Sequence, residues 1–253
     1  MKSKSSKHQF IIIFGKNPIE EILMNRPELV VRVYAKDTVG EIELATLLPF
    51  LKKRKIPFVK VPEKKIQQLV GDVSHQGFVA EIKEFPMLDL YEVLETLDMD
   101  ANPAFLVLDE IQDPHNYGAI IRSAAASGVS GIIVAKMNQA SITGTVFKTS
   151  AGALMQVPVI QVSNISNTLE RLKEKGFWIA GLAGEGDVSY WDQDFKGPMA
   201  FVVGNEGRGL RDLTKRRCDY LLRIPMEEGV ESLNASVSAA LVMYEWKRQT
   251  RKK

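Results

Sequence analysis

Apolar runs of four to six residues recur along the chain, each bounded by glycine, proline or charge, with amphipathic stretches between them. In the first third the pattern predicts strand 10–14, helix 17–25, strand 29–35, helix 41–55, strand 57–61, helix 62–70 and strand 77–83. From Pro103 onward it predicts strands at 104–109, 131–135, 157–162, 177–182, 199–204 and 220–225, separated by helices. The runs AFLVLD, GIIVA and MAFVVG are apolar almost throughout instead of alternating, as a parallel sheet covered on both faces demands. Between the two blocks, EFPMLDLYEVLETLDMDAN carries an early proline, one short helical pattern and only acidic charges. The expected organisation is α/β throughout: a small N-terminal domain (1–83), an acidic linker (84–102) and a larger domain (103–253).

In a sheet of this kind a ligand site is expected outside the carboxyl ends of the strands. Four polar or glycine-rich stretches fall there: Asp109–Asn116, Gly181–Gly186, Gly204–Gly209 and Pro225–Asn234. Two of them read G-x-x-G-x-G. A dinucleotide fold needs G-x-G-x-x-G after its first strand, a phosphate loop ends in Gly-Lys-Ser/Thr, and a serine esterase carries G-x-S-x-G; none of these occurs. In FVVGNEGRGL, Glu206 would repel a phosphate while the glycines invite close backbone approach. Spacing alone leaves open which ligand wants both.

Charge sharpens the division. Residues 1–83 hold 15 Lys/Arg against 9 Asp/Glu, residues 84–102 hold none against 6, and residues 103–253 hold 18 against 16. A basic N-terminal block that includes Lys52-Lys53-Arg54-Lys55 fits a polyanion partner, although a solvated helix face would look the same. The lone Cys218 permits no internal disulfide, and no Cys or His spacing resembles a zinc site, so no metal is expected. The run Ile11–Phe14 after a basic start is too short for a signal-peptide core or a membrane span, which makes the cytoplasm the expected location.

Three longer motifs stand in order over about 150 residues: DxxxDPHNxGAxxRSAxAxG from Asp109 to Gly128, FVVGNEGRGL, and IPMxxxVxSLNxSVSAA from Ile224 to Ala240. Together they resemble the SpoU, or TrmH, group of SPOUT RNA methyltransferases. IFGKNPIEEIL and SHQGFVAEI resemble the substrate-binding domain of the bacterial 23S rRNA guanosine 2′-O-methyltransferase branch. The resemblance implies a SPOUT domain whose parallel sheet holds a deep trefoil knot, preceded by a small α/β RNA-binding domain of ribosomal protein L30e type. It also implies S-adenosylmethionine as cofactor, RNA as partner, and a homodimer formed through the C-terminal domain. The expected reaction is methylation of a guanosine ribose 2′-hydroxyl in 23S rRNA. The alternatives are a tRNA ribose methyltransferase and a non-catalytic RNA-binding ribosome-assembly factor.

Carried onto this chain, the resemblance makes Arg122, Asn116, Glu206, Ser232 and Asn234 the catalytic candidates, with main chain at Gly204, Ile224 and Leu233 against the cofactor. Arg122 is expected to act as a fixed cation near the nascent alkoxide. Asn116 is expected on ribose or backbone, unless it caps its helix in competition with Asp113-Pro114. Glu206 is expected to orient Arg122 or to accept from the guanosine, and His115 to be structural. Ser232 or Asn234 is expected to cap the last helix, with Leu233, Val237, Ala240, Leu241 and Tyr244 as its buried stripe. The small residues from Ala235 to Ala240 would allow a second backbone close, and Lys247, Arg248 and Arg251 to Lys253 could touch RNA.

Overall fold

A computed structural model describes residues 10–250, and the contacts within it divide the chain into two compact units. The chain begins with β1 (Ile11–Phe14), α1 (Lys16–Asn25), β2 (Val30–Lys36), α2 (Glu41–Leu44), α3 (Leu48–Arg54), β3 (Phe58–Val61), α4 (Glu63–Val70) and β4 (Phe78–Ile82). Then follow α5 (Leu90–Glu95), β5 (Ala104–Asp109), α6 (Pro114–Ser127), β6 (Gly131–Ala135), α7 (Gly144–Thr149) and β7 (Val159–Val162). The last third holds α8 (Ile165–Glu174), β8 (Trp178–Leu182), β9 (Val188–Ser189), β10 (Met199–Gly204), α9 (Asp212–Arg217), β11 (Tyr220–Arg223) and α10 (Ala235–Thr250). The basic residues 251–253 and the basic start lie outside the described residues.

The first unit is a mixed four-stranded sheet in the order β1-β4-β2-β3, with β2 and β3 parallel and the other pairs antiparallel. Ile13, Ile19, Ile22, Val33, Ile66 and Val79 are fully buried in it. The helix expected over 41–55 is two helices, because Pro49 has no N–H to give and crowds the preceding turn; it is tolerated in the first turn of α3. This unit comprises the residues through Pro86 together with Ile142–Met155, a segment from far along the chain. Here α7 packs on β1, and Gly144 makes the approach possible: a Cβ there would overlap the carbonyl oxygen of Ile12. Lys148 Nζ donates to the Ser74 carbonyl at 2.7 Å and lies 5.6 Å from the centre of the Phe14 ring.

The second unit is a seven-stranded sheet, parallel in every pair, in the order β7-β6-β5-β10-β8-β11-β9. Every residue of β5 and β10 is buried, in keeping with their unbroken apolar sequences. Phe105, Val107, Ile133, Ile179 and Val202 meet Leu169 and Leu172 of α8 and Leu90 of α5 in one core cluster. The acidic stretch after Pro86 therefore contributes to this core, with Asp89 capping α5 through the Tyr91 N–H at 2.8 Å. The two-residue β9 was not anticipated; it is too short to carry a period.

The last helix corrects the predicted stripe. It buries Ala235, Ala239, Val242, Met243 and Trp246, whereas Leu233, Val237 and Tyr244 are 36%, 46% and 50% exposed. Apolar residues surround α10, so periodicity cannot choose its inner face. The neighbour decides: α10 packs against α6, where Ser127 Oγ donates to Met243 Sδ at 3.5 Å and Lys247 Nζ to the Ala126 carbonyl at 2.7 Å.

Candidate active site

The carboxyl ends of β8, β10 and β11 and the loop into α10 enclose a cavity of about 420 Å³. Gly204, Glu206, Ile224, Ser232 and Leu233, all singled out from sequence, line it, with Leu182, Val203, Leu210 and Leu222 supplying apolar wall. Its size is that of a small-molecule site, and its lining sets that apolar wall beside the acids Glu185, Glu206 and Glu231 and the polar Asn205 and Ser232. Both cations in the lining are already committed: Arg208 Nη2 lies 3.0 Å from Glu110 Oε2, and Lys215 Nζ lies 2.5 Å from Glu185 Oε1. That contact holds the Glu185 carboxyl below its ordinary range and raises the Lys215 ammonium. A nucleoside without phosphates fits such a wall better than a nucleotide does.

The loop after β10 is closed on itself. Asn205 N donates to the Gly209 carbonyl at 3.1 Å and Gly209 N to the Asn205 carbonyl at 2.8 Å. The Asn205 side chain stitches the interior, its Oδ1 accepting from Gly207 N at 3.0 Å and Arg208 N at 3.2 Å. Gly209 holds φ +68°, a conformation that L side chains rarely adopt, and a Cβ on Gly204 would overlap the Gly209 backbone. The glycines thus serve the loop's own turn.

Polar side chains from three distant segments meet at the rim. Asn116 Nδ2 donates to Glu206 Oε1 at 3.0 Å, and Asn234 Nδ2 donates to Asn116 Oδ1 at 2.9 Å. Asn234 Oδ1 in turn accepts from Ser236 N at 2.8 Å and Ser236 Oγ at 2.6 Å, which makes Asn234 the cap of α10. Asp113 takes the other contested cap, accepting from His115 N at 2.9 Å with Pro114 behind it. Relieved of capping, Asn116 is 8% exposed and free to bridge. Ser232 lines the cavity without capping.

Arg122 stands apart. It is exposed, six residues beyond Asn116 on α6, and among the described residues it forms no ion pair. The expected Glu206–Arg122 contact is absent: Glu206 accepts instead from Asn116 and, at 3.4 Å, from Asn205 Nδ2. Two acids that sequence reasoning passed over lie behind the loop. Asp109, 0% exposed, ends the buried β5 and Glu110, 6% exposed, follows it; they pair with Arg211 and Arg208. A charged pair closing an otherwise apolar strand was the available signal. Near the cavity, burial pushes the Cys218 thiol up to about 12 and leaves it inert.

Comparison with known proteins agrees with this geometry. The SpoU rRNA methylase family matches residues 103–244, and the family described as RNA 2′-O ribose methyltransferase substrate binding matches residues 12–88. The 23S rRNA (guanosine-2′-O-)-methyltransferase RlmB of Shewanella oneidensis is 38% identical over 95% of this chain and 98% of its own. The SpoU methyltransferase AviRb of Streptomyces viridochromogenes, crystallised with AdoMet, superposes with a TM-score of 0.80 at 25% identity, over 95% of this chain and 90% of that one. The TrmH/SpoU tRNA modifying enzyme of A. aeolicus is 30% identical with a TM-score of 0.53, over only 62% of this chain and 79% of its own.

Proposed function

The chain belongs to the SpoU rRNA methylase family, and from that premise we propose that it methylates the ribose 2′-hydroxyl of a guanosine in 23S rRNA, using S-adenosylmethionine. One observation carries the reading: Asn116, Glu206 and Asn234, from three separate motifs, form one hydrogen-bonded chain at the rim of a cavity walled by Gly204, Ile224 and Leu233. When bound, S-adenosylmethionine supplies a methyl group made electrophilic by its sulfonium.

The remaining work falls to the protein. Transfer needs the ribose oxygen held in line, its proton removed and its growing charge met. The Ser236–Asn234–Asn116–Glu206 chain fixes the orientation of each amide, so that Asn116 and Asn234 present a rigid polar rim to a sugar. Arg122, on the same helix as Asn116, supplies a guanidinium that forms no ion pair among the described residues and is suited to an RNA phosphate and a nascent alkoxide. Ser232 faces the same cavity. The knot that the family resemblance implies belongs to this reading, supported by the close passage of Gly186 against the Leu221 backbone.

The first unit serves as the RNA-holding domain. Its Lys52 to Lys55 cluster is exposed and fits a phosphate backbone. A homodimer is supported by the exposed apolar face of α10, where Val237, Leu241 and Tyr244 border a 340 Å³ depression with Ser123 of α6. A cytoplasmic site of action fits this reading of an RNA-modifying enzyme. The choice of rRNA over tRNA rests on coverage, because the RlmB relative spans both units whereas the tRNA modifying enzyme matches 62% of the chain. Labelled S-adenosylmethionine offered with protein-free 23S rRNA or with tRNA tests this: label is expected on a guanosine ribose of 23S rRNA, and label in tRNA alone overturns the assignment.

A further inference from the structure

We infer that Asp109 and Glu110 are positioning residues: through Arg211 and Arg208 they clasp the loop from Gly204 to Leu210 in the shape that walls the cavity and sets Glu206 against Asn116. The inference rests on the proposed methyl-donor site, and it adds Asp109, Glu110 and Arg211, none of which lines the cavity.

Asp109 is the cross-strand partner of Gly204 in the β5–β10 ladder, so it stands at the root of the loop. It is fully buried, with Oδ1 2.5 Å from Arg211 Nη2 and Oδ2 accepting from Arg211 N at 3.4 Å. Glu110, next along, holds φ +69°, where a non-glycine residue persists only if its surroundings fix it. Those surroundings are the loop itself. Glu110 O accepts from Asn205 Nδ2 at 2.9 Å, and its carboxylate meets Arg208 Nη2 at 3.0 Å and Arg211 Nη1 at 3.4 Å. Asn138 adds a donor to the same carboxylate at 3.1 Å.

The physical consequence is coupling. A buried carboxylate without its cation is costly, so the loop cannot swing away without stranding two acids. Since Glu206 rides on that loop, the clasp sets the pocket wall and the rim network at once. Arg211, 47% exposed on its side chain, is the stronger half; Arg208 is 71% exposed and contributes less.

The test uses the full chain carrying Arg211→Ala, Arg211→Lys and Arg208→Ala. Hydrogen–deuterium exchange reads the loop, calorimetry with S-adenosylhomocysteine reads the pocket, and steady-state transfer separates the two KM values from kcat. In Arg211→Ala, exchange over residues 204–211 is expected to rise about tenfold while the β5 and β10 amides stay protected. S-adenosylhomocysteine affinity is expected to fall about tenfold or more, with the KM for the methyl donor rising in step and the KM for RNA shifting less than about twofold. Arg211→Lys should recover part of both effects, and Arg208→Ala should produce smaller ones. Unchanged exchange in Arg211→Ala overturns the clasp, as does faster exchange with undiminished affinity. Asp109→Asn adds a second measure; should it fail to fold, Arg211→Ala, altered at a half-exposed side chain, still decides. If the unaltered protein binds no S-adenosylhomocysteine, the donor site falls, and the exchange result alone then judges the clasp.

Discussion

The segments Gly181–Gly186 and Gly204–Gly209 share one spacing, G-x-x-G-x-G, and both run from the carboxyl end of a parallel strand into the wall of the same cavity. In the first, the glycines make room for neighbours. A Cβ on Gly181 would stand 2.7 Å from Cys218 Sγ and one on Gly186 2.5 Å from the Leu221 carbonyl oxygen, while Gly184 has nothing within 4 Å. In the second they make room for the loop itself, which closes through Asn205 and Gly209. Their tethers differ too. The first is tied by the partly exposed Glu185–Lys215 pair, the second by acids buried at the end of β5. A shared spacing therefore tells that backbone comes close, and the residues between the glycines tell to what.

Substitutions can break this contrast, in order of effect. Gly204→Val forces a side chain into the Gly209 backbone, and S-adenosylhomocysteine affinity measured by calorimetry should fall about a hundredfold or more, since misplacement by an ångström is worth that much. Next, Asn116→Ala strands an acceptor on Glu206 and a donor on Asn234. At about 1–3 kcal/mol for such losses, methyl transfer should slow roughly tenfold to hundredfold, with donor affinity nearly unchanged. A variant with normal turnover would remove Asn116 from the mechanism.

Gly186→Ala acts on packing instead. Crowding against Leu221 should lower stability in urea by about 1–3 kcal/mol. Lys215→Ala removes a partly exposed pair and should cost less than about 1 kcal/mol. Smallest is Gly184→Ala, with open space and no left-handed backbone to disturb; its midpoint should match the unaltered protein within about 0.5 kcal/mol. Equal losses at Gly184 and Gly186 would show that the spacing, and not the neighbours, sets each glycine's role.

Much of the architecture was legible because it is local. Unbroken apolar runs placed β5, β6 and β10 to the residue. Gly204, Ile224 and Leu233 lie in the cavity wall, and Asn116, Glu206 and Asn234, which the motifs named singly, lie in one network that the motifs did not announce. What escaped was set by partners remote in sequence. The inner face of α10 is chosen by α6, because Val237 and Tyr244 are as apolar as the buried Val242 and Met243. Nothing near Gly144 announces that Ile142–Met155 packs with β1, more than a hundred residues earlier. The Asp109–Arg211 pair likewise joins positions 102 residues apart, and each alone reads as an ordinary charge.

The central claim is that the closed Gly204–Gly209 loop walls a site for a phosphate-free nucleoside donor. Calorimetric titration of the full chain with S-adenosylhomocysteine tests it most directly, run beside Gly204→Val. Saturable binding to the unaltered protein is expected, weakened about a hundredfold or more in Gly204→Val. Absence of binding, or equal binding by a folded Gly204→Val, would contradict it.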